Sequence, residues 1–401
     1  MKSLSRFLAL EGNIRVLAAQ TLISQIGFGM FYVVWQPYLL STGISLSQLG
    51  IVQTMINVST GLGLFTWGYV SDNYGRRPVV VAADACRILA ILVLIVSKSY
   101  PALLVFAFLI GFTAMFMMGN PGRNAMIAES VDNARRATAL STLMTISQGV
   151  STLMASAGGY IALTMGYTPI LYAALVADLV GFVILLLFVK ETHTPRKAEA
   201  KPLREMMRGA LLPEASNISL YTIMLIQGFG YAVAYSLFYG ALTDYRGFTT
   251  LELGFMSTSF NLVWALGSIP LGKLSDRLGR KRMLMGSIVM AYVTVLGFIF
   301  FRSPAAYILF NGINAVDTCF WMPSWTSLLT EIVPKETRSS VMGKLDAYGR
   351  IGAIPAPWLA GVLLERYGFT APLFIQIATL SLALPLILRL RDPGAGRAVG
   401  G

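Results

Sequence analysis

Charge is scarce in this sequence. Only 12% of its 401 residues are Asp, Glu, Lys or Arg, about half the 25% typical of a soluble domain. Histidine occurs once, at His193, and cysteine twice, at Cys86 and Cys319. So few ligands of those types point away from a metal centre, a disulfide framework and a Ser-His-Asp site. No G-x-x-x-x-G-K-[ST] stretch occurs, so direct drive by ATP is not expected. The expectation is a protein that is not an enzyme and needs no cofactor. Acidic residues are fewer than basic ones, 19 against 31, giving a net charge of +12. That surplus does not form a nucleic-acid surface, because the charges sit at the ends of apolar runs.

What is abundant is apolar sequence, 55% of the chain. A membrane helix needs about 20 mostly apolar residues. Twelve stretches qualify, near 14–38, 46–70, 78–97, 101–128, 137–164, 168–189, 217–241, 250–273, 283–301, 304–330, 340–364 and 369–389. They predict an all-α membrane protein. Both cysteines fall inside them. After Met1 and Lys2 the lead is mixed, so the first long apolar run reads as a spanning helix and not a cleavable signal. Basic residues prefer cytoplasmic loops. With both termini inside, 25 of the 31 Lys and Arg residues face the cytoplasm. Lys98, Arg246, Arg302 and Arg366 fall outside, and Arg87 and Arg350 lie within spans.

Two polar turns are near copies. One runs Gly68-Tyr-Val-Ser-Asp72-Asn-Tyr-Gly75-Arg76-Arg77, the other Gly272-Lys-Leu-Ser-Asp276-Arg-Leu-Gly279-Arg280-Lys281. Both read G-x-x-x-D-x-x-G-R-[RK] and join two apolar runs. Further down, Pro121, Glu129 and Arg136 recur 202 residues later as Pro323, Glu331 and Arg338. The turns themselves differ by 204 residues. Such spacing indicates a duplicated half.

The doubled turn resembles the loop between the second and third helices of the major facilitator superfamily of transporters, which carries it once per half. The resemblance covers about residues 12–391. It implies two pseudo-symmetric six-helix bundles around a central cavity, acting by alternating access. The corresponding domains are 1–190, a cytoplasmic linker 191–216 holding His193, and 217–401 with the tail. It also implies that Glu129 and Glu331 meet the signature arginines in a cytoplasmic latch, with Gly68, Asp72, Gly75, Arg76 and Arg77 in one half and Gly272, Asp276, Gly279, Arg280 and Lys281 in the other. Asp84-x-x-Arg87 and Pro121-x-Arg123 are similar to the macrolide and siderophore exporter branch. Drug antiporters often carry Gly-Pro where Met154-Ala155 stands here, and an Arg shortly before Gly111 that this chain lacks.

Polar residues in spans should face the bundle interior. Span 1 carries Gln25, Gly29, Tyr32 and Gln36, and span 7 carries Gln227, Tyr231, Tyr235 and Tyr239, at helical spacing. Span 10 carries Asn311, Asn314, Asp317 and Trp321. Gln25, Tyr32, Gln227, Tyr231, Asn311, Asn314, Trp321 and Arg350 are the candidate substrate contacts, with Met115, Phe116, Met117 and Met118 as an adaptable apolar surface. Asp317 is the candidate proton-coupling group, since burial disfavours a charged carboxylate. Its alternative is a permanently ionised or hydrogen-bonded acid. Asp84, Arg87 and Asp178 form either a structural ion network or, through Asp178, a proton carrier. Asp346 pairs with Arg350, unless Arg350 holds an anionic substrate. The leading function is a monomeric, proton-coupled exporter of small amphipathic molecules in the cytoplasmic membrane, among lipids and without nucleic acid. The alternatives are a proton symporter importing a polar or anionic solute and, more remotely, a lipid scramblase or a non-transporting receptor.

Overall fold

A computed structural model describes residues 8–114, 119–132, 135–192, 212–335 and 337–390, without the side chains of Ala137, Asp276 and Ser339. Met115, Phe116, Met117, Met118, His193 and most of the linker lie outside the described residues. The described chain is helical, and no strand occurs in it. In the first half α1 is Gly12–Ser41, α2 Leu46–Tyr74, α3 Arg76–Val96, α4 Tyr100–Phe112, α5 Pro121–Glu129, α6 Arg136–Met165 and α7 Thr168–Phe188. In the second, α8 is Ile218–Tyr235, α9 Phe238–Arg246, α10 Thr250–Leu278, α11 Arg280–Phe300, α12 Pro304–Ile332, α13 Arg338–Ala353, α14 Ala356–Tyr367 and α15 Ala371–Arg389.

Seven elements among the described residues are long and apolar enough to cross a membrane: α1, α2, α3, α7, α11, α15, and α8 with α9 taken together. A 30-residue helix such as α1 is about 45 Å long, so its ends reach past the hydrocarbon core. Three of the expected spans are broken. Span 4 was expected to run unbroken through 101–128, but α4 stops at Phe112, and Ala114 takes a left-handed φ of 49°. Asn120 then caps α5: its side chain accepts from Arg123 N and donates to Thr113 O at 3.0 Å. Span 7 breaks between Tyr235 and Phe238. Span 11 breaks at Pro355, where the sequence predicts a bend because proline frees a carbonyl.

The chain forms two compact units. The first holds residues 1–45, 51–203 and 249–254, and the second holds the rest. The core of unit 1 includes Val80, Met126, Ile127, Ala139, Leu143 and Leu185. The core of unit 2 includes Leu284, Leu328, Leu329, Val341, Leu345 and Ile387. Taken in that order, the pairs differ by 204 or 202 residues. The duplication is therefore structural, residue by residue, and both cores lie behind the signature turns. Within unit 1, α1 packs closely on α6 and α7. A Cβ on Gly158 would meet Met30 Cα at 2.6 Å, and one on Gly27 would meet Ala174 Cα at 2.5 Å. Small residues permit that approach.

Candidate functional site

The signature turns need glycine. Gly75 has φ 113° and Gly279 φ 91°, values that side chains resist. In unit 1, Arg76 Nη1 donates to Asp72 Oδ1 at 2.6 Å and to Ser71 Oγ at 2.8 Å. Its Nη2 donates to Glu129 Oε1 at 3.0 Å. A Cβ on Gly68 would stand 3.9 Å from the Pro121 side chain at the start of α5. Arg77 Nη2 donates to Leu186 O at 2.8 Å, closing the end of α7. Unit 2 repeats the pattern: Arg280 bonds Glu331, and Lys281 Nζ donates to Leu388 O at 2.7 Å. Gly272 and Gly279 have open space where a Cβ would stand.

Two members of the unit 1 turn were not legible as such. Glu191 accepts from the backbone N of Arg76 at 2.9 Å and of Arg77 at 3.0 Å, capping α3. Thr192 Oγ1 donates to Glu129 Oε2 at 2.7 Å. Both read in sequence as the first residues of a linker, and both are tied to the unit 1 turn and its partner Glu129. At the far end of the linker, the Lys344 ammonium lies 2.5 Å from Glu214. Hydrogen bonds from Lys344 and Tyr221 hold the Glu214 carboxyl below its ordinary range.

A Cβ on Gly75 would stand 2.6 Å from Glu191 Oε2, whereas one on Gly279 meets nothing within 4 Å. Backbone strain of this kind costs about 1–3 kcal/mol. Gly75→Ala should therefore lower the thermal stability of the purified protein more than Gly279→Ala does. Equal losses would mean that Glu191 yields freely and does not cap α3.

The second site is buried in unit 1. Arg87 Nη2 lies 2.8 Å from both Asp84 Oδ1 and Asp178 Oδ1. All three residues are buried. Gln20 Nε2 donates to Asp84 Oδ1 at 3.3 Å, and Arg123 Nη1 donates to Gln20 Oε1 at 2.9 Å. Arg123 also bonds Thr21 and is itself buried. Sequence reading placed Arg123 at a cytoplasmic helix end and left Gln20 unread; an arginine two residues after a span-breaking proline was the available signal. Asp84 Oδ2 and Asp178 Oδ2 are buried with no hydrogen bond among the described residues.

The third site is buried in unit 2. Polar residues of α12 reach three neighbours. Asn311 Nδ2 donates to Met256 O of α10 at 2.8 Å, and Asn314 Oδ1 accepts from Tyr231 of α8 at 2.8 Å. Asp317 accepts from Ser287 of α11. All three α12 residues are buried. Side chains expected to line a cavity thus also bind helices together. Trp321 stacks on Trp325, with centroids 5.2 Å apart.

The other candidates are spread apart. Gln25 is committed within unit 1: it donates to Ser147 Oγ at 2.9 Å and accepts from Ser151 Oγ at 3.0 Å. Tyr32 is 41% exposed and Gln227 half-buried. Arg350 and Asp346 pair at 2.8 Å and are largely exposed. A groove of about 490 Å³ follows α6, lined by Leu8, Thr138, Ser141, Thr142, Thr145 and Ile146. The sequence reading gave no role to that row of hydroxyls.

The family model described as Major Facilitator Superfamily matches residues 17–233 and 220–400, once for each half. The chain belongs to the major facilitator superfamily. It is a multi-pass membrane transporter of that family. It is 24% identical over 352 residues to the multidrug resistance protein MdtG of Enterobacter lignolyticus, covering 86% of this chain and 83% of that protein. It is 24% identical over 323 residues to the multi-drug resistance efflux pump PmrA homolog of Lactococcus lactis, covering 79% and 78%. Both relatives are named for multidrug resistance or efflux. In fold it is similar to the nucleoside transporter NupG, with TM-score 0.75 and 12% identity over 94% of this chain and 98% of that one. It also resembles the human organic anion transporter MFSD10, with TM-score 0.63 and 16% identity over 93% and 98%.

Proposed function

We propose that this transporter exports small amphipathic molecules across the cytoplasmic membrane by proton antiport, with both termini in the cytoplasm. The observation that carries this reading is the contrast between buried acids. Asp84 and Asp178 share Arg87. Asp317 is equally buried, yet no ion pair among the described residues includes it. A buried carboxylate without a cation is stable when protonated and costly when charged. Such a group takes a proton from one side and releases it when the site is rewetted from the other. Relatives named for multidrug resistance and efflux support the direction and the substrate class. Tyr32, Tyr231 and Trp321 offer aromatic surface, and Gln227, one helical turn before Tyr231, offers an amide.

A second reading, import of an anionic solute by symport, draws on the exposed Arg350. The two are separated in cells lacking their own drug pumps. Expression should lower steady-state ethidium, and a protonophore should restore it. Unchanged ethidium, with anionic solutes taken up by wild type and not by Arg350→Gln, would favour import.

The turns act as the cytoplasmic latch, made in one state of the cycle and broken in the other. Asp72 is largely exposed, so its pair with Arg76 contributes at most about 1 kcal/mol. Asp72→Asn should fold normally and transport several-fold more slowly, because Arg76 loses one of its two carboxylates. Efflux at the wild-type rate would remove this half of the latch from the cycle.

A further inference from the structure

The buried cluster of unit 1 contains two acids and two guanidinium groups: Asp84 and Asp178, Arg87 and Arg123. The duplicated half shows that the fold does not require them. At the equivalent positions, 204 residues on in α11 and 202 on in α12 and α15, stand Ile288, Ala291, Trp325 and Leu380. All four are buried, and Ile288 and Trp325 belong to the unit 2 core. Replacing a buried ion pair by apolar residues is often neutral or stabilising. Packing alone therefore does not account for four buried charges in one half and none at the matching places of the other.

Arg123 shows what the cluster connects to. It is the third residue of α5, a separate nine-residue helix. At the start of α5, Arg123 is tied through Gln20 to Asp84, and directly to Thr21 of α1. At its end, Glu129 holds Arg76 and Thr192. The last carbonyls are closed by Arg136, whose Nε donates to Ala128 O at 2.7 Å. A helix of nine residues is about 13 Å long, so one rigid rod carries a buried ionic anchor at one end and the exposed latch at the other.

We propose that Arg123 is a positioning residue for transport: it makes α5 a strut joining the buried ion cluster to the cytoplasmic latch, so that the latch releases only when Arg123 leaves Gln20 and Thr21. The proposal rests on the latch reading above. In unit 2 Trp325 replaces the anchor, and Glu331 meets Arg280 without an ionic counterpart at the buried end. The latch of unit 1 is thus the one whose state is coupled to the buried charges.

The test uses the full chain in native membranes, with Cys86→Ser and Cys319→Ser and the buried Ser71→Cys as reporter of latch opening. N-ethylmaleimide labelling is measured alongside ethidium efflux. Arg123→Gln should speed labelling about tenfold, within the range for coupled sites. It should lower the maximal efflux rate while leaving the half-saturating ethidium concentration within about twofold, since no substrate contact is removed. Gln20→Leu, which cuts the same tie from the other side, should do the same, and it decides the matter if Arg123→Gln fails to fold. Glu129→Gln, which opens the latch directly, should also speed labelling. If Glu129→Gln speeds labelling and the folded Arg123→Gln and Gln20→Leu variants do not, the strut is refuted while the latch stands. If none of the three changes it, the latch reading fails and the strut with it.

Discussion

Asp317→Asn should leave ethidium binding within a few-fold of wild type and remove accumulation driven by a pH gradient. Asparagine keeps the size of the protonated acid and can still bond Ser287, so the α11–α12 contact survives. What it lacks is a proton to exchange. The effect should be large because Asp317 is buried and no described ion pair shares its work. Downhill ethidium exchange, which needs no net proton movement, should persist in reconstituted vesicles. That split between exchange and accumulation separates a coupling group from a merely structural one. A variant that still accumulates ethidium against its gradient would move the coupling site elsewhere, with Asp346 or Glu129 next to be tested.

Arg87→Ala should be the most damaging single change to folding. It leaves Asp84 and Asp178 facing each other in unit 1, both almost fully buried. Breaking a buried pair by removing one partner costs about 3–5 kcal/mol, a large part of a domain's stability. The contrast is Arg350→Ala. Its pair with Asp346 is largely exposed, and exposed pairs contribute about 0–1 kcal/mol. Detergent-solubilised Arg87→Ala should therefore lose most of its monodisperse yield, while Arg350→Ala keeps it. Equal yields would show that the two aspartates are neutralised without Arg87. The fourfold change Asp84→Ile, Arg87→Ala, Arg123→Trp and Asp178→Leu copies the second half and should fold better than Arg87→Ala alone, because it leaves no unpaired charge in the cluster.

The sequence carried the architecture because the bilayer restricts what a chain can do. Backbone polar groups must be satisfied within each span, so apolar length alone locates the helices. The turn glycines and their arginines were legible because they occur twice at nearly fixed spacing. Breaks were legible only where proline marked them. Pro355 signals the break between α13 and α14, but nothing local marks the one between α8 and α9 or the left-handed Ala114. Helical spacing put Asn311, Asn314 and Asp317 on one side of a helix. It could not say that they reach three different helices, because partner choice depends on packing between segments far apart in sequence. Glu191 and Arg123 were missed for the same reason. Glu191 looks ordinary beside its sequence neighbours, Arg123 carries only the signal of Pro121 before it, and each acquires its role from α3 or α1 across the bundle.

The measurement that bears most directly on the account is proton movement in vesicles holding the purified wild-type protein and a pH-sensitive dye inside. An ethidium gradient imposed across these vesicles should drive protons in the direction opposite to the ethidium, acidifying or alkalising the lumen according to the sign of that gradient. The response should vanish in Asp317→Asn. Ethidium flux with no change in luminal pH in the wild type, or proton movement in the same direction as the ethidium, would contradict proton antiport.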